Sequence, residues 1–424
     1  MNFLEELKWR GMLHDITPGV EEALKQSGVV GYIGFDPTAP SMTIGNYVQI
    51  MLLKFWQLSG NKPIMLFGGA TGRIGDPSGK DAERQLKTGN ELDTNLSFQM
   101  QQARKFLDFE GENAAIFVNN FDFYKDMNAL DFLRDVGKTI TVSYMLSKES
   151  VKRRLETGIS FTEFSYQLLQ GYDFQCLFQQ HHCLVQMGGS DQWGNITAGT
   201  EFIRRNLDEK AFAITTPLLT KADGTKFGKS DKGNIWLDAK LTSPYKFYQF
   251  WINADDRDLP KYTRYFSLKS RAEIEALEVE HAENPRELKR ILAEELTIRV
   301  HTQTEYDSVL KVSDILFGKS DAEILRGMSA EELAMIADEI DTFSIPKIDL
   351  ENGINITDLL AEKTTIVKSK TEARKAIQNN AISVNKIKVT THELTIDKTE
   401  LLKDQYIMVE NGKKNKYLLI VNNG

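Results

Sequence analysis

Several short segments of the chain combine glycine with charged or hydroxyl side chains, a composition suited to handling phosphate groups. In the first, residues 34–38 are followed by residues 43–46 at the predicted start of a helix. A helix start offers backbone N–H groups that lack helical partners, together with the positive end of the helix dipole, and both favour anions. Gly45 has no side chain, so a flat base could lie against the backbone there. Taken alone, this segment is better interpreted as an ordinary connection between a strand and a helix, with glycine at the turn.

A second segment, residues 68–79, holds five glycines in twelve residues. Such a density of glycine requires unusual backbone conformations, which a plain surface loop rarely needs. The segment contains an acid, Asp76, and two bases, Lys80 and Arg84, follow it. These groups could serve an ammonium group and phosphates together, so we interpret the segment as a functional loop.

Three polar residues lie on one face of a predicted helix, because Tyr166, Gln170 and Asp173 are spaced i, i+4 and i+7. Such a stripe either faces solvent or lines a polar pocket, and the spacing alone favours the solvent-facing alternative.

Two later segments repeat the mixture of glycine and charge. Residues 186–195 run from a predicted strand through two glycines into a helix, and Asp191 could accept hydrogen bonds from a ribose. Residues 221–230 form a glycine-containing loop with two lysines, Lys226 and Lys229, three residues apart. Ammonium groups on a flexible loop can follow a charge that develops on phosphate. Each segment could be structural by itself, but five of them in one chain indicate function.

The elements that must position these segments alternate between strand-like and helix-like patterns. Strands are predicted at residues 29–36, 63–69, 114–118, 183–187 and 212–215, and helices at 45–58, 92–109, 129–136 and 160–178. This alternation predicts a parallel sheet with crossover helices, whose ligands bind beyond the carboxyl ends of the strands.

The second half of the chain has a different pattern. Helices with charged outer faces are predicted at residues 243–253, 271–281, 285–301 and 330–338. Residues 344–349 contain Pro346 and suggest a linker. A small mixed unit follows, with helices predicted at residues 356–360 and 370–379 and strands at 382–389, 406–409 and 416–421.

The charge of the chain is unevenly distributed. The net charge is −8, but residues 361–424 carry 12 Lys and Arg against 7 Asp and Glu, which is +5 and leaves −13 for the rest. A basic end on an acidic body can confine polyanion binding to one part of a chain. Charge alone favours the simpler alternative of a solvated, lysine-rich terminus.

Composition excludes several classes of protein. Hydrophobic residues make up 41% of the chain, as in globular proteins, and its apolar stretches are too short for a membrane span. Residues 1–10 mix charged and apolar residues, unlike a secretory signal. The two cysteines, Cys176 and Cys183, suit a reducing compartment, so we expect a cytoplasmic protein. Their spacing around two adjacent histidines is not that of a usual zinc site, so we expect no bound metal.

The segments together resemble the signature motifs of the bacterial class I tyrosyl-tRNA synthetases, along essentially the whole chain. The matching motifs are Asp36-Pro-Thr38, Thr43-Ile-Gly-Asn46, residues 69–78, residues 188–193 and Lys226-Phe-Gly-Lys-Ser230. Thr43-Ile-Gly-Asn46 stands where that class has His-Ile-Gly-His, and Lys226-Phe-Gly-Lys-Ser230 stands where it has Lys-Met-Ser-Lys-Ser. Residues 371–375 and 381–385 resemble the S4-type RNA-binding module of the bacterial members.

The resemblance implies an α/β fold with a Rossmann-like parallel-sheet catalytic domain at residues 1–236 and an α-helical anticodon-side domain at 237–341. A linker at 342–352 and a small α+β S4-like RNA-binding domain at 353–424 would follow. The implied activity joins L-tyrosine to ATP as tyrosyl-adenylate, releases pyrophosphate and transfers tyrosine to the 3′ end of tRNA(Tyr). Mg²⁺ would accompany ATP. The family is dimeric, and Phe161 falls in its subunit interface, so we expect a homodimer.

The resemblance also assigns roles to individual residues. Tyrosine would be bound by Tyr32, Asp36, Asp76, Tyr166, Gln170, Asp173 and Gln192, with Tyr32 and Asp173 on its phenol. ATP would be bound by Gly45, Asn46, Gly189, Asp191, Lys226, Lys229 and Ser230, and the groups near its polyphosphate would be Thr38, Thr43, Lys80, Arg84, Lys226 and Lys229. The tRNA would meet Arg374, Lys375, Lys386 and Lys388. No side chain attacks, so catalysis would be positioning and charge stabilisation.

Thr43 departs from the family pattern, which has histidine there, and Asn46 replaces the second histidine. Two alternatives therefore stay open. One is a catalytically retired relative that binds RNA. The other is a ligase for a related aromatic amino acid, although Tyr32 paired with Asp173 favours a phenol.

Overall fold

The computed structural model describes residues 2–78, 85–230 and 233–422, and in it the chain forms two compact units. The first unit comprises Met1–Thr242 and Lys246–His301, and the second comprises Ser243–Tyr245 and Thr302–Gly424. This division differs from the three predicted domains, because the helices predicted as one middle domain are shared between the two units.

A parallel sheet forms the centre of the first unit. Its strands are β1 (Val30–Phe35), β2 (Lys62–Phe67), β3 (Ile116–Asn119), β4 (Cys183–Gly189) and β5 (Phe212–Thr216). All neighbours pair in parallel in the order β3-β2-β1-β4-β5. The strand order reverses between β1 and β4, which is where such sheets bind ligands beyond the strand ends. The predicted Rossmann-like sheet is confirmed.

Helices surround this sheet and continue beyond it. They are α1 (Phe3–Arg10), α2 (Val20–Ala23), α3 (Ile44–Leu58), α4 (Gly89–Ala103), α5 (Ala129–Asp131), α6 (Val142–Leu146), α7 (Glu149–Thr157), α8 (Phe161–His181), α9 (Trp193–Leu207), α10 (Pro244–Ile252), α11 (Leu259–Phe266), α12 (Arg271–Glu280) and α13 (Pro285–Val300). Short 3₁₀ or π turns lie at Thr71–Arg73, Asn120–Phe123, Phe132–Val136 and Ser190–Gln192. A hairpin of β6 (Lys229–Ser230) and β7 (Gly233–Asn234) precedes α10. No helix within the described residues is both long enough and apolar enough to cross a membrane.

Hydrogen bonds explain why helices α11 to α13 belong with the sheet. Arg299 of α13 donates to the Tyr47 hydroxyl of α3 at 3.2 Å and to the Phe266 carbonyl at 2.6 Å. Trp9 of α1 donates to Glu275 of α12 at 3.0 Å. Sequence periodicity could not reveal these contacts, because they join residues far apart in the chain.

The second unit combines helices with a mixed sheet. Its helices are α14 (Gln303–Phe317), α15 (Ala322–Gly327), α16 (Ala330–Ala337), α17 (Lys347–Asn352), α18 (Ile356–Asp358) and α19 (Lys370–Gln378), with 3₁₀ or π turns at Leu359–Lys363 and Lys398–Glu400. Its strands are β8 (Asp341–Pro346), β9 (Ile354–Asn355), β10 (Ile382–Val384), β11 (Ile387–Lys388), β12 (Thr395–Ile396), β13 (Tyr406–Asn411) and β14 (Asn415–Asn422). The larger sheet has the order β11-β10-β13-β14-β8, and β9 pairs with β12.

The stretch predicted as a linker, residues 342–352, is instead part of this unit. Strand β8 pairs in parallel with β14, from Asp341 opposite Tyr417 to Pro346 opposite Asn422, and α17 follows it. Ile345 is 1% exposed and packs in the unit's core. Proline is tolerated at Pro346 because β8 is an edge strand and Pro346 is its last residue.

Candidate active site

The polar residues of the first unit converge at the carboxyl ends of the parallel strands. Asp36 follows β1, the glycine-rich segment follows β2, and Asn120 follows β3. Helix α8 contributes Tyr166 and Asp173 to the same region, where they contact Asp36 and Asn120. The predicted stripe on α8 is therefore largely buried at the ends of the strands instead of facing solvent.

Asp173 is the most buried acid of this site, with 1% of its surface exposed. Its Oδ2 atom accepts a hydrogen bond from the Asn120 amide at 2.9 Å, and its Oδ1 atom accepts one from the Tyr124 hydroxyl at 2.7 Å. Burial raises the pKa of Asp173 to about 7, although both hydrogen bonds act to lower it. The carboxylate is thus only partly compensated by the chain.

Tyr32 lies beside this carboxylate in the core of the sheet. It is 1% exposed, and its hydroxyl has no hydrogen-bond partner among the described residues. Burial, and then the negative charge of Asp173, raise the pKa of Tyr32 well above its usual value, so its hydroxyl stays protonated. A buried hydroxyl and a buried carboxylate suit a ligand group that both accepts and donates a hydrogen bond, as a hydroxyl does.

Asp36 forms the centre of a second cluster. Its Oδ1 atom accepts a hydrogen bond from the Thr71 hydroxyl at 2.7 Å, and its Oδ2 atom accepts one from the Tyr166 hydroxyl at 2.9 Å. Gly68 is required here, because a Cβ atom at that position would overlap both the Asp36 carboxylate and the Thr71 hydroxyl. The high glycine content of the segment thus lets two polar side chains approach the backbone.

Asn120 joins the two clusters. Its Nδ2 atom donates to Thr71 Oγ1 at 3.0 Å as well as to Asp173, and its Oδ1 atom accepts from the Ala70 backbone N–H at 2.7 Å. Because Thr71 donates in turn to Asp36, a continuous series of hydrogen bonds connects the Asp173 and Asp36 carboxylates.

A third cluster surrounds Asp76. Its Oδ2 atom accepts a hydrogen bond from the Gln192 amide at 2.7 Å, and its Oδ1 atom accepts one from the Ser78 backbone N–H at 2.9 Å. The Asn195 amide lies 3.4 Å from Asp76 Oδ1 and 3.1 Å from Gln192 Oε1. Gln170 has a buried Oε1 atom without a hydrogen-bond partner among the described residues. A carboxylate and an amide oxygen of this kind suit a cationic ligand group.

Thr43 and Asn46 are engaged with each other at the start of α3. The Thr43 hydroxyl donates to Asn46 Oδ1 at 2.8 Å and accepts from the Asn46 backbone N–H at 3.4 Å, while the Thr43 backbone N–H donates to Asn46 Oδ1 at 2.9 Å. This is a capping box, in which both side chains satisfy the helix end. Gly45 is exposed between them, and the nearest atom to a Cβ there would be Thr43 Oγ1 at 3.4 Å.

The lysine-containing loop lies next to the same helix start. The Ile44 backbone N–H donates to the Ile235 carbonyl at 2.9 Å, and the Ile235 N–H donates to the Gly228 carbonyl at 3.1 Å. Gly228 has a φ of +85°, which favours glycine. Phe227 is 4% exposed and packs against an aromatic cluster, whereas Lys226 and Lys229 are exposed. The loop is therefore anchored by its middle residues and presents its lysines to solvent.

Other predicted residues have mixed outcomes. Lys80 and Arg84 lie outside the described residues, as does the side chain of Ser230. Thr38 is half-buried after β1, and Asp191 is exposed in the turn Ser190–Gln192 that follows Gly189 of β4. No cluster of three or more His, Cys, Asp or Glu that could hold a metal occurs within the described part of the chain.

Lys386 was one of the predicted RNA-binding residues, but its side chain is buried within the second unit. Its side chain is only 9% exposed, and its ammonium group forms an ion pair with Glu410 at 2.8 Å and donates to the Ile315 carbonyl at 3.0 Å. It therefore neutralises a carboxylate and caps the end of α14 instead of meeting phosphate. Arg374, Lys375 and Lys388 are exposed.

Four residues of these clusters had no role predicted from the sequence: Thr71, Asn120, Tyr124 and Asn195. The pair Asn119-Asn120 directly after a predicted strand was an available signal, because strand ends of a parallel sheet share one edge. Tyr124 gave no local signal, since its contact with Asp173 spans 49 residues.

Known proteins with related sequences cover almost the whole chain. The family model for tRNA synthetases class I (W and Y) matches residues 25–318, and the model for the tyrosine--tRNA ligase SYY-like C-terminal domain matches residues 336–420. A tyrosine--tRNA ligase of Cytophaga hutchinsonii is 54% identical over 99% of this chain and 100% of its own length. One of Flavobacterium psychrophilum is 51% identical over 99% of both chains. A solved structure of a C-terminally truncated Aspergillus nidulans mitochondrial tyrosyl-tRNA synthetase superposes with a TM-score of 0.67 at 30% identity, over 74% of this chain and 94% of that one.

We expect Asp173→Asn to change the stability of the protein in a pH-dependent way. The folded state keeps a proton on Asp173 up to about pH 7, whereas the unfolded chain releases it near pH 3.8. As pH rises between these values, the free energy of unfolding of the native protein therefore falls relative to that of the variant by several kcal/mol. Above about pH 7 the difference between the two proteins is constant.

Melting temperatures measured from about pH 4 to about pH 8 would show this difference. Asp122→Asn removes an exposed carboxylate of the same region and is the control for a change at the surface. A flat difference for Asp173→Asn would show that Asp173 is not held as a buried acid.

Proposed function

The chain belongs to the class I tRNA synthetases of the tryptophan and tyrosine group, and we propose that it uses the site described above to join tyrosine to tRNA. The activity is that of a tyrosine--tRNA ligase. The carboxylate of tyrosine attacks the α-phosphorus of ATP, the bond to the leaving pyrophosphate breaks, and tyrosyl-adenylate forms. The 3′-terminal ribose of the tRNA then takes the tyrosyl group and AMP leaves.

The observation that carries the choice of tyrosine is the pair of Tyr32 and Asp173. The substrate phenol would accept a hydrogen bond from Tyr32 and donate one to Asp173, which satisfies both buried groups. Phenylalanine would satisfy neither. The indole of tryptophan has an N–H donor but no acceptor, so it would leave Tyr32 without a partner.

The α-ammonium group of tyrosine fits the other clusters. Asp76 supplies a negative charge, and the buried Oε1 atom of Gln170 is an acceptor. The Tyr166 hydroxyl donates to Asp36, so its lone pairs remain as acceptors for the ammonium group. Gln192 and Asp36 would then orient the amino acid towards ATP.

ATP would lie across the start of α3. Gly45 leaves room for the adenosine, Gly189 and Asp191 would meet the base and ribose, and Lys226 and Lys229 would follow the charge on the phosphates. Lys80, Arg84, Thr38 and Ser230 are proposed for the same phosphates from sequence alone. Mg²⁺ would enter with ATP as the counter-ion of its phosphates.

Thr43 would support this site indirectly. Because its hydroxyl is used in the capping box with Asn46, the helix start and the lysines would provide the charge stabilisation that histidine provides in the family. Retention of Asp76, Asp191, Lys226 and Lys229 supports an active enzyme over a retired relative that only binds RNA.

Tyrosine-dependent exchange of pyrophosphate into ATP tests the activity. We expect exchange with L-tyrosine, and far weaker exchange with phenylalanine or tryptophan, because each unpaired buried group costs about 1–3 kcal/mol. Exchange without an amino acid is the background control.

The same assay with Thr43→His tests the role of that position, and we expect little change. If the native chain were inactive and the variant active, the retired relative would be the correct interpretation. Strong exchange with tryptophan would favour a ligase for that amino acid.

A homodimer is proposed from an apolar surface on the first unit. Leu130, Leu133, Val142 and Phe161 are 77%, 50%, 61% and 71% exposed. One buried cluster contains Val136 and Met145, which are their neighbours in the chain, together with Leu168 of α8. The exposed apolar residues therefore lie on the surface of a single hydrophobic cluster. Exposed apolar surfaces of this kind mark interfaces.

We expect Phe161→Asp to convert a dimer to a monomer, because it places a charge within an apolar interface. Phe317→Asp changes a residue that is 79% exposed in the second unit and should leave the assembly unchanged. Analytical ultracentrifugation distinguishes the two states. A native protein that sediments as a monomer would refute the proposal.

The second unit is proposed to bind tRNA through Arg374, Lys375 and Lys388, which are exposed. A cytoplasmic location is proposed as well, because tRNA charging takes place where proteins are made and both cysteines are free thiols.

The double variant Arg374→Ala/Lys375→Ala should raise the KM for tRNA and lower the salt dependence of binding, with a slope change of roughly one per lost phosphate contact. Pyrophosphate exchange should be unaffected, because that step needs no tRNA. Lys319→Ala removes an exposed lysine of the same unit and is the control. Unchanged tRNA affinity in the double variant would contradict the assignment.

A further inference from the structure

Tyr124 contacts the acid that would receive the substrate phenol. It follows the turn Asn120–Phe123, and its hydroxyl lies 2.7 Å from Asp173 Oδ1 and 2.9 Å from the Leu169 carbonyl oxygen. Asp173 and Leu169 are one turn apart on α8. A tyrosine hydroxyl carries one hydrogen, so Tyr124 can donate to only one of these two acceptors at a time.

The charge of Asp173 decides which of the two acceptors forms the stronger hydrogen bond with Tyr124. An ionised carboxylate attracts the Tyr124 hydrogen more strongly than a neutral carbonyl does, because the hydrogen bond is charge-assisted. When Asp173 is protonated, its own hydrogen can be given to the Tyr124 oxygen while Tyr124 donates to Leu169. The Tyr124 hydroxyl therefore has one arrangement for each state of the acid.

Tyr124 also completes the support of the carboxylate. Asn120 donates to Oδ2 at 2.9 Å and Tyr124 donates to Oδ1, so each oxygen of Asp173 has one donor from the chain. Hydrogen bonds to both oxygens prevent the carboxylate from rotating about its Cβ–Cγ bond. The direction of its remaining lone pairs is therefore fixed.

We propose that Tyr124 is a positioning residue that holds the Asp173 carboxylate in its ionised, hydrogen-bond-accepting state and aims it at the substrate phenol. This inference rests on the proposed function, since it concerns recognition of tyrosine at the same site. Tyr124 touches Asp173 and is not required to touch the substrate. Its removal should therefore weaken recognition of the phenol more than the chemical step.

Several titratable groups surround Asp173. The titratable neighbours are Tyr32, Asp36, Tyr124, Tyr166, Tyr172 and Cys176. Burial raises the pKa of Tyr172 and of Cys176 to about 12, and it raises the pKa of the other tyrosines well above their usual value. These groups stay neutral near pH 7, so Asp36 is the charged neighbour whose field acts on Asp173 there.

The test compares Tyr124→Phe with the native protein and with Tyr172→Phe. Tyr172 is a matched control, because its ring centre is 5.7 Å from that of Tyr124 and its hydroxyl interacts with the Cys176 thiol instead of holding the Asp173 carboxylate. For each protein, kcat and KM for L-tyrosine in pyrophosphate exchange are measured across pH, together with kcat/KM for phenylalanine and the melting temperature.

We expect Tyr124→Phe to raise the KM for tyrosine by roughly 10- to 100-fold with little change in kcat, the range for loss of one hydrogen bond to a charged group. The pH at which tyrosine binding improves should move upwards, because the ionised acid has lost a donor. The kcat/KM for phenylalanine should stay the same. Tyr172→Phe should match the native protein in all of these.

Two results would overturn the inference. One is a Tyr124→Phe variant with native KM and native pH dependence. The other is an equal loss of kcat/KM for tyrosine and phenylalanine, which would indicate a packing defect. Absence of tyrosine-dependent exchange in the native protein would instead refute the proposed function, so the two failures are distinguishable.

Discussion

Asp173 belongs to helix α8 and is only 1% exposed, so its carboxylate is kept away from the water that would stabilise its charge. Hydrogen bonds from Asn120 and Tyr124 stabilise the charge in part, but the pKa of the acid remains raised to about 7. A further hydrogen-bond donor would therefore stabilise the ionised carboxylate. In the proposed complex, the phenol of tyrosine would supply one and would also satisfy the buried Tyr32 hydroxyl. On this proposal, selectivity for tyrosine follows from a carboxylate that the protein buries and stabilises only in part.

The same constraint extends to the reacting end of the substrate. Asn120 is fully buried and uses its amide group to connect Asp173, Thr71 and the Ala70 backbone. Thr71 in turn donates a hydrogen bond to Asp36, which also accepts one from the Tyr166 hydroxyl. The two carboxylates are therefore fixed relative to each other through short hydrogen bonds. In the proposed complex, a substrate held at its phenol by Asp173 would have its α-carbon region placed by Asp36. Positioning of this kind is the main catalytic means available when no side chain attacks.

The sequence predicted the parts of this arrangement that depend on local patterns. Apolar runs alternating with helices predicted the parallel sheet, and the glycine-rich segments after its strands predicted which strand ends gather polar side chains, because strand ends share one edge. It could not predict that Tyr124 meets Asp173, since that contact depends on how a turn after β3 packs on α8. Strand β8 was predicted as a linker because Pro346 suggests an irregular segment, whereas an edge strand tolerates proline at its end. Lys386 was predicted to meet tRNA because it is a lysine in the segment that resembles an RNA-binding module, and its burial beside Glu410 was not visible in the sequence.

Proton release on binding tests most directly whether the Asp173 carboxylate receives the substrate phenol. Calorimetric titration of the native protein with L-tyrosine in two buffers of different ionisation enthalpy counts the protons exchanged with solvent. At about pH 6 the free acid is mostly protonated and must ionise to accept the phenol, so close to one proton should be released, falling to none at about pH 8. The absence of proton release at both pH values, in the presence of tight binding, would contradict the account, because it would show that Asp173 does not pass from a buried protonated acid to an ionised acceptor when tyrosine binds.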